Sequence, residues 1–483
     1  MTDTTQQFET VIGLEVHCQL FTKTKIFCGC ANEFGAKPNM HTCPVCLGLP
    51  GSLPVFNKTA LNYAMKIGLA LDCQINPLIK FDRKNYYYPD LPKGYQITQF
   101  DLPVASNGFI MIPQPDGSQK KIGINRAHIE EDAGKLIHDN EANCSLVDYN
   151  RTGTPLMEIV TEPDMRSAQE AYDYLTNLKL TLQYLDVSDC DMEKGSLRCD
   201  ANISIRKFGE TTLGTKTELK NMNSFKAVKT ALEYEINRHR CVILSGEKIV
   251  QQTLLWDEKK LAAIPMRSKE QAHDYRYFPE PDLVPFIVKD DIIEEIKNNL
   301  PERPQTKMDR LITEYKISDY DARILISDKH LAAFFENCAS HYKDVKKLCN
   351  WMNIEVLKEL NERKVTITDI SLTPKDLAAL LEKIDQNTIS NLAAKDVLRF
   401  CIETGKTPEA IINEKGLAQV SDEGSLNTLI DEIIKNNPNV VQEVRDGKQS
   451  AIGFLIGQAM KQSKGKANPK MLKDMFTKNL FNN

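Results

Sequence analysis

The stretch Val11–Leu20, VIGLEVHCQL, constrains this chain most, because its polarity alternates residue by residue as a β-strand requires. Ile12, Leu14, Val16, Cys18 and Leu20 share an apolar face, and Val11, Gly13, Glu15, His17 and Gln19 share the other. A strand of this kind buries one face and must find partners for the charges on the other, since an unpaired buried carboxylate is too costly to stay ionised. Glu15 and His17 therefore face a salt-bridge network, a metal-bearing cleft or solvent. The pattern recurs. In PLMEIVTEPD, Met157, Ile159 and Thr161 alternate with Glu158, Val160 and Glu162; in GSLRCDANISIRKFG, Leu197, Cys199, Ala201 and Ile203 alternate with Arg198, Asp200, Asn202 and Ser204. A run that follows the turn signal PDGS ends in Arg126, His128, Glu130, Glu131 and Asp132, either a solvated rim or a fourth contribution. Glu15, Glu131, Glu158 and Asp200 together make an oxygen-rich set of the kind that suits Mg²⁺, which is held by a few carboxylates plus water and substrate phosphates.

Directly after the first strand comes FCGCANEFGAKPNMHTCPVC. Cys28 and Cys30 form one close pair, and Cys43 and Cys46 another, across a loop rich in Gly, Pro and Asn. Two such pairs are what a tetrahedral zinc–thiolate site needs, and four protein ligands leave no open position, so the site would be structural. The alternative is four free thiols, with His41 a spare ligand or a loop residue. The 13 cysteines are odd in number and scattered, which speaks for thiols and a metal site over a disulfide framework.

The 483 residues exceed one ordinary core, so about two to four domains are expected. Helices are predicted over Asn57–Leu71, over Asp164–Ser188 with a capping box at Ser167 and Glu170, from Asn223 or Ser224 onward, and over Lys375–Ile384 and Asp396–Ile402. The composition shifts at NNLPERPQTK, which places domains at 1–296, 297–410 and 411–483. The net charge of −5 excludes a chain that is basic throughout, so any nucleic-acid contact must come from a local patch. Lys461, Lys464, Lys466, Lys470, Lys473 and Lys478 form one near the end, unless they are an ordinary solvated helix terminus. Gly453 and Gly457, four apart in an apolar helix, would allow another backbone to come close. No apolar run approaches the ~20 residues of a membrane span and the first residues are polar, so the expected location is the cytoplasm.

No P-loop, Rossmann glycine fingerprint or kinase signature is present, so nucleotide phosphates would have to be held by metal and by basic side chains such as Lys84 and Arg83 in FDRKNYYYPDLPKGYQITQFD. Lys84 could equally be a solvated lysine beside packed tyrosines. That stretch, together with VIGLEVH, the cysteine loop, LPGSLPVFN, HIEEDAGK, NRTGTPLMEIVTEPD, GSLRCDANIS, ELKNMNSF and DYRYFPEPDL, resembles the B subunit of the tRNA-dependent amidotransferase, the GatB family, in order along nearly the whole chain.

The resemblance implies an α+β fold: a mainly antiparallel, cradle-shaped catalytic domain resembling glutamine synthetase, then a helical domain and a small YqeY-like tail that binds tRNA. It implies that ATP phosphorylates the side-chain carboxyl of aspartyl-tRNA(Asn), glutamyl-tRNA(Gln) or both. Ammonia, released from glutamine by a separate amidase (A) subunit within a complex that also holds a small C subunit, then forms the amide. By that resemblance Glu15, His17, Glu131, Glu158 and Asp200 belong to the Mg²⁺ and phosphorylation pocket and Lys84 to its basic position, while Cys28, Cys30, Cys43 and Cys46 belong to the zinc loop. The competing expectation is a zinc-braced tRNA-binding scaffold with its chemistry done elsewhere. The acids recurring on polar strand faces favour catalysis, because a scaffold has no use for them beside RNA phosphates.

Overall fold

The alternation at Val11–Leu20 becomes strand Phe8–Gln19, and burial follows it: Ile12, Leu14, Val16 and Cys18 are sealed while Gly13, Glu15, His17 and Gln19 are half-exposed. The computed structural model describes residues 8–139, 141, 143–266, 274–418, 423–445, 448, 450–463 and 469–481, with the backbone alone at 423–425, 469 and 470. By its internal contacts the chain divides into two compact units, Met1–Pro304 and Gln305–Asn483.

In the first unit the strand lies near the middle of a nine-stranded sheet. From one edge the order is Ala262–Pro265, Thr253–Asp257, Thr217–Lys220, Leu197–Lys207, Phe8–Gln19, Pro155–Thr161, Gln119–Glu131, Ala105–Pro113 and Gln74–Ile75. Every pairing is antiparallel except Thr217–Lys220 with Thr253–Asp257. The PDGS signal forms the expected hairpin, with Gly117 at φ +84° in its turn, a conformation open to glycine at no steric cost.

Helices Lys58–Ala70, Ala168–Tyr184 and Phe225–Leu244 share the core of the sheet's apolar face. Their starts are local chemistry. Asn57 Oδ1 accepts from the Thr59 and Ala60 amides, and Ser224 Oγ accepts from Ala227 N. Ser167 Oγ accepts from Glu170 N as expected, but the box is half-built: Glu170 accepts from Arg166 N and Lys120 instead of returning to Ser167. Leu175, Leu178 and Leu182 are fully buried, each worth about 2 kcal/mol of transfer free energy. Helix Phe225–Leu244 is also pinned to strand Thr217–Lys220 by a buried polar knot in which Thr217 Oγ1 donates to Glu235 at 2.7 Å and lies 2.9 Å from His239 Nε2. That strand carries Lys220 to the polar face.

The second unit is helical. Pro374–Asp385 opens on a complete capping box at Thr373 and Asp376, and Asn391–Thr404 is longer than the predicted Asp396–Ile402. Helices Glu423–Asn436, Pro438–Arg445, Ser450–Gln462 and Pro469–Phe481 share a core of their own around Leu426, Ile430, Leu455, Leu472 and Phe476. Gly453 and Gly457 do not serve the close approach expected of them: a Cβ added to either would meet nothing within 4 Å.

Candidate functional site

Antiparallel register builds the polar face. His17 is the cross-strand partner of Glu158, Glu158 is the partner of His128, and on its other side His17 faces Arg198. One row of ionisable groups therefore crosses four adjacent strands, which sit about 4.8 Å apart. Two residues along strand Gln119–Glu131, Glu130 joins the row. His17 Nε2 lies 3.4 Å from Glu158 and 3.9 Å from Glu130; His128 Nε2 lies 3.3 Å from Glu158 and 3.6 Å from Glu130. Thr98 Oγ1 donates to Glu130 at 3.1 Å.

Sequence reasoning chose Glu131 where the structure brings in Glu130. Ala127 and Ile129 are core residues, so His128 and Glu130 share the polar face and Glu131 points the opposite way. There Glu131 is buried, ion-paired with Lys93, and accepts from Ile97 N at 2.9 Å. The apolar alternation at 127 and 129 was the signal that identifies Glu130 and His128.

The other expected residues separate. Glu15 and Asp200 are cross-strand partners in the next row, but each has its own contact: Asn202 Nδ2 donates to Glu15 at 2.9 Å and Lys220 Nζ to Asp200 at 2.6 Å. Sequence reasoning named neither Arg198 nor Lys220 as functional, yet Lys220 pairs with Asp200 and Glu218, and Arg198, beside His17, donates to Asp132 at 2.8 Å. Arg83 is engaged elsewhere, clamped by Glu280 at 2.7 and 2.8 Å and by Asp282 at 3.3 Å. Lys84, its neighbour on strand Asp82–Asn85, holds its ammonium 4.9 Å from the Tyr275 ring centre and forms no ion pair among the described residues. Burial opposes its charge, but Glu130, Tyr277 and Glu158 outweigh burial and raise its pKa above the ordinary value.

The charges in the cluster sustain one another. Burial disfavours the cationic form of His128, yet the Glu158 and Glu130 carboxylates overcome it and raise its pKa to about 9. His17 is raised in the same way, against burial and mainly by Glu158. Burial pushes Glu158 and Glu130 up, and the two imidazoles pull both below the usual carboxylate range. The carboxylates favour the cationic form of each imidazole, and a dication would meet the same two carboxylates. Ligand atoms of His17, Glu130 and Glu158 all lie within 4.8 Å of one another, so the residues fit a divalent ion. Two carboxylates with imidazole suit Mg²⁺, and equally Mn²⁺ or Zn²⁺.

Just beyond the same end of strand Phe8–Gln19 the cysteine loop folds on itself. The Sγ atoms of Cys28, Cys30, Cys43 and Cys46 fall within 4.8 Å of one another, which fits a single tetrahedral ion. The Cys43 amide donates to Cys46 Sγ at 3.1 Å, and Gly48, at φ +67°, closes the second knuckle. A hydrogen bond from Cys28 pulls the Cys46 thiol down to about 5 against burial, while burial pushes Cys30 up to about 11. His41 enters through its backbone, its carbonyl accepting from Lys25.

In the tail, Lys461, Lys473 and Lys478 are exposed on helices. Lys464 and Lys466 lie outside the described residues, and Lys470 lies on a helix whose backbone alone is described there. Among the described residues no helix is long and apolar enough to cross a membrane.

Comparison with known proteins bears on both units. Residues 10–294 match the family described as the GatB/GatE catalytic domain, and residues 333–480 match the GatB domain. The chain is 54% identical over 474 residues, 98% of this chain and 99% of the relative, to the B subunit of the aspartyl/glutamyl-tRNA(Asn/Gln) amidotransferase of Thermoanaerobacter sp. (strain X514). Proteins of the same name from Desulfotalea psychrophila (53% over 474 residues, covering 98% and 99%) and Carboxydothermus hydrogenoformans (50% over 474 residues, covering 98% and 98%) match as extensively.

Proposed function

Because this chain belongs to the GatB family of tRNA-dependent amidotransferase B subunits, we propose that the polar face of its large sheet amidates the side chain of aspartate or glutamate carried on tRNA(Asn) or tRNA(Gln), using ATP. The observation that carries the reading is the juxtaposition of Lys84 with the His17–Glu130–Glu158–His128 cluster: a cation with no carboxylate partner among the described residues faces a group fit to hold a dication. That is a place for phosphate.

A carboxylate resists ammonia because its leaving group would be oxide. In the proposed first step the tRNA-bound carboxylate attacks the γ-phosphorus of ATP, an acyl–O–P bond forms and ADP leaves. In the second, ammonia attacks the acyl carbon and inorganic phosphate leaves with the bonding pair. Lys84 neutralises charge on the transferred phosphoryl group, as a preorganised donor should. Thr98 and the two histidines orient Glu130 and Glu158. Mg²⁺ held by His17, Glu130 and Glu158 would spread phosphate charge when bound. Glu15 and Asp200, with Asn202 and Lys220, extend the same face toward the nucleotide.

The nucleotide's length also finds a place. On the same strand face as His17, Gly13 leaves a hollow of about 290 Å³ lined by Val11, Val160, Pro163, Leu213, Asn202 and Ser204. Four residues of strand span about 14 Å, the reach from the base to the terminal phosphate of an extended nucleoside triphosphate. The resident zinc of this reading is structural and held by the four cysteines. The family resemblance further assigns the glutamine-synthetase-like cradle, the tRNA-binding tail and the amidase and C-subunit partners, and the expected location is the cytoplasm.

The test is ATP-dependent amidation by the purified chain plus amidase partner, with aspartyl-tRNA(Asn) and glutamyl-tRNA(Gln) supplied separately. Phosphate release that requires the mischarged tRNA, and is lost in Lys84→Met with glutaminase activity retained, is expected. Phosphate release indifferent to the charged tRNA would sink the reading.

A further inference from the structure

One buried cation serves neither the polar face nor any carboxylate. Lys25 has no exposed surface, and its ammonium donates to His41 O at 2.6 Å and Tyr149 O at 3.3 Å and approaches Cys46 Sγ at 3.8 Å. Those three acceptors match its three protons. Among the described residues it has no carboxylate partner, so the one ionisable group within its reach is the Cys46 sulfur. An ammonium taken out of water loses several kcal/mol of solvation, which hydrogen bonds and a nearby anion must offset. Four thiolates around a dication leave two excess negative charges; Cys28, Cys30 and Cys43 are half-exposed and can share theirs with water, whereas Cys46 is buried and needs a counter-charge from the protein. The two requirements answer each other.

We propose that Lys25 is a positioning residue of the cysteine cluster: its ammonium is the counter-charge of the one buried ligand, Cys46, on the protein side of the centre, and it ties that centre to the segment leading into the Glu158 strand. The tie is physical. Lys25 Nζ holds Tyr149 O, the Lys25 amide donates to Cys30 O at 3.0 Å, and the next amide, Ile26 N, donates to Gly153 O at 2.8 Å. Gly153, at φ +80°, lies so close that a Cβ there would sit 3.6 Å from both Lys25 Cδ and Cys46 Cβ. Two residues later begins Pro155–Thr161, which carries Glu158.

This inference rests on the zinc reading, and the test separates the two. The full-length protein is prepared as wild type, Lys25→Met and Lys25→Arg, and zinc affinity is measured by competition with a chromogenic chelator. Methionine keeps the aliphatic volume and removes the charge; arginine keeps the charge. Loss of a partner that orients a metal ligand weakens affinity roughly 10–100-fold, the expected result for Lys25→Met, with at least partial recovery in Lys25→Arg. Cobalt-substituted protein gives a second readout, a changed thiolate charge-transfer band in Lys25→Met alone. Zinc held as tightly by Lys25→Met as by wild type overturns the proposal, as does equal loss in both variants, which would make shape and not charge the cause. Should the variants not fold, acylation of the wild-type holoprotein decides: Lys25 must resist the reagent and become reactive once zinc is stripped, and labelling at the rate of surface lysines overturns the proposal. Wild-type protein that binds no zinc overturns the metal reading itself.

Discussion

The cysteine cluster and the histidine–glutamate cluster lie toward the same end of strand Phe8–Gln19 and were built by opposite means. Cys28, Cys30, Cys43 and Cys46 come from one short loop, so their spacing alone announces the site. His17, His128, Glu130 and Glu158 come from three strands as much as 141 residues apart, and they meet only through register. Spacing tolerates a small error in reading a loop, whereas register does not: a slip of one residue moves a side chain to the other face of the sheet. Choosing Glu131 over Glu130 was a slip of that size.

Metal removal tests the local side of the comparison and should have the largest effect. Cys43→Ser, or chelation of the wild type, should release about one zinc per chain and lower stability by several kcal/mol, because the free energy of binding a structural metal is also folding free energy. Thermal melts with and without chelator check this. Chemistry per folded molecule should fall far less than stability. Protein purified without chelator that lacks zinc, with all four cysteines freely alkylated, breaks the local half of the contrast.

The paired variants Glu130→Gln and Glu131→Gln test the side set by register. Glu130→Gln, like Glu158→Gln, should cost amidation roughly a hundredfold or more while the partner's glutaminase persists. Glu131→Gln strands the buried Lys93 ammonium, so its principal effect should be a loss of about 3–5 kcal/mol in stability, read by denaturant unfolding. The opposite pattern, with Glu131→Gln stable but inactive and Glu130→Gln active, would restore the sequence assignment.

Protonation offers a finer test of the same cluster. In metal-free protein the His128 pKa stands at about 9 against 6.5 for the free side chain. A raised pKa means the stabilisation is fully present below about pH 6.5 and is lost as pH rises through 9. At about 1.4 kcal/mol per unit the effect is on the order of 3 kcal/mol. Unfolding free energies of the chelated chain should therefore fall across that window, and His128→Gln should flatten the decline. A fall of equal size in the variant would place the titrating group elsewhere.

What the sequence disclosed follows from the same distinction. The strand around Glu15, the PDGS hairpin, the capped helices and the cysteine loop are decided by neighbours a few residues apart, and all were legible. Arg83 and Lys84 were not separable by composition, since only the strand's alternation sends one to Glu280 and the other toward Glu130. Lys220 and Arg198 were invisible for a related reason: their roles depend on which strand lies beside which. Gly453 and Gly457 misled because a spacing that permits close approach does not supply a neighbour.

The tail is a third case, where neither spacing nor register speaks and charge is the only guide. Its helices keep their own core, so charge can be changed there without disturbing the fold. In a chain of net charge −5, a basic segment near the end cannot be put down to general basicity. Each lysine that meets a phosphate releases a counterion, so binding weakens as salt rises and the slope counts the phosphates neutralised. Replacing Lys461, Lys464, Lys466 and Lys470 by Gln should weaken binding of the charged tRNA and make the salt slope shallower by about one for each phosphate no longer neutralised. In the proposed function the chemical step lies in the first unit, so raising tRNA concentration should recover much of the amidation rate, which is the signature of lost binding and not lost transition-state stabilisation. Affinities measured at several salt concentrations check both statements. If the neutralised tail binds with the same affinity and slope, those lysines are a solvated helix end, and charge without geometry is the weakest of the three ways to read a site.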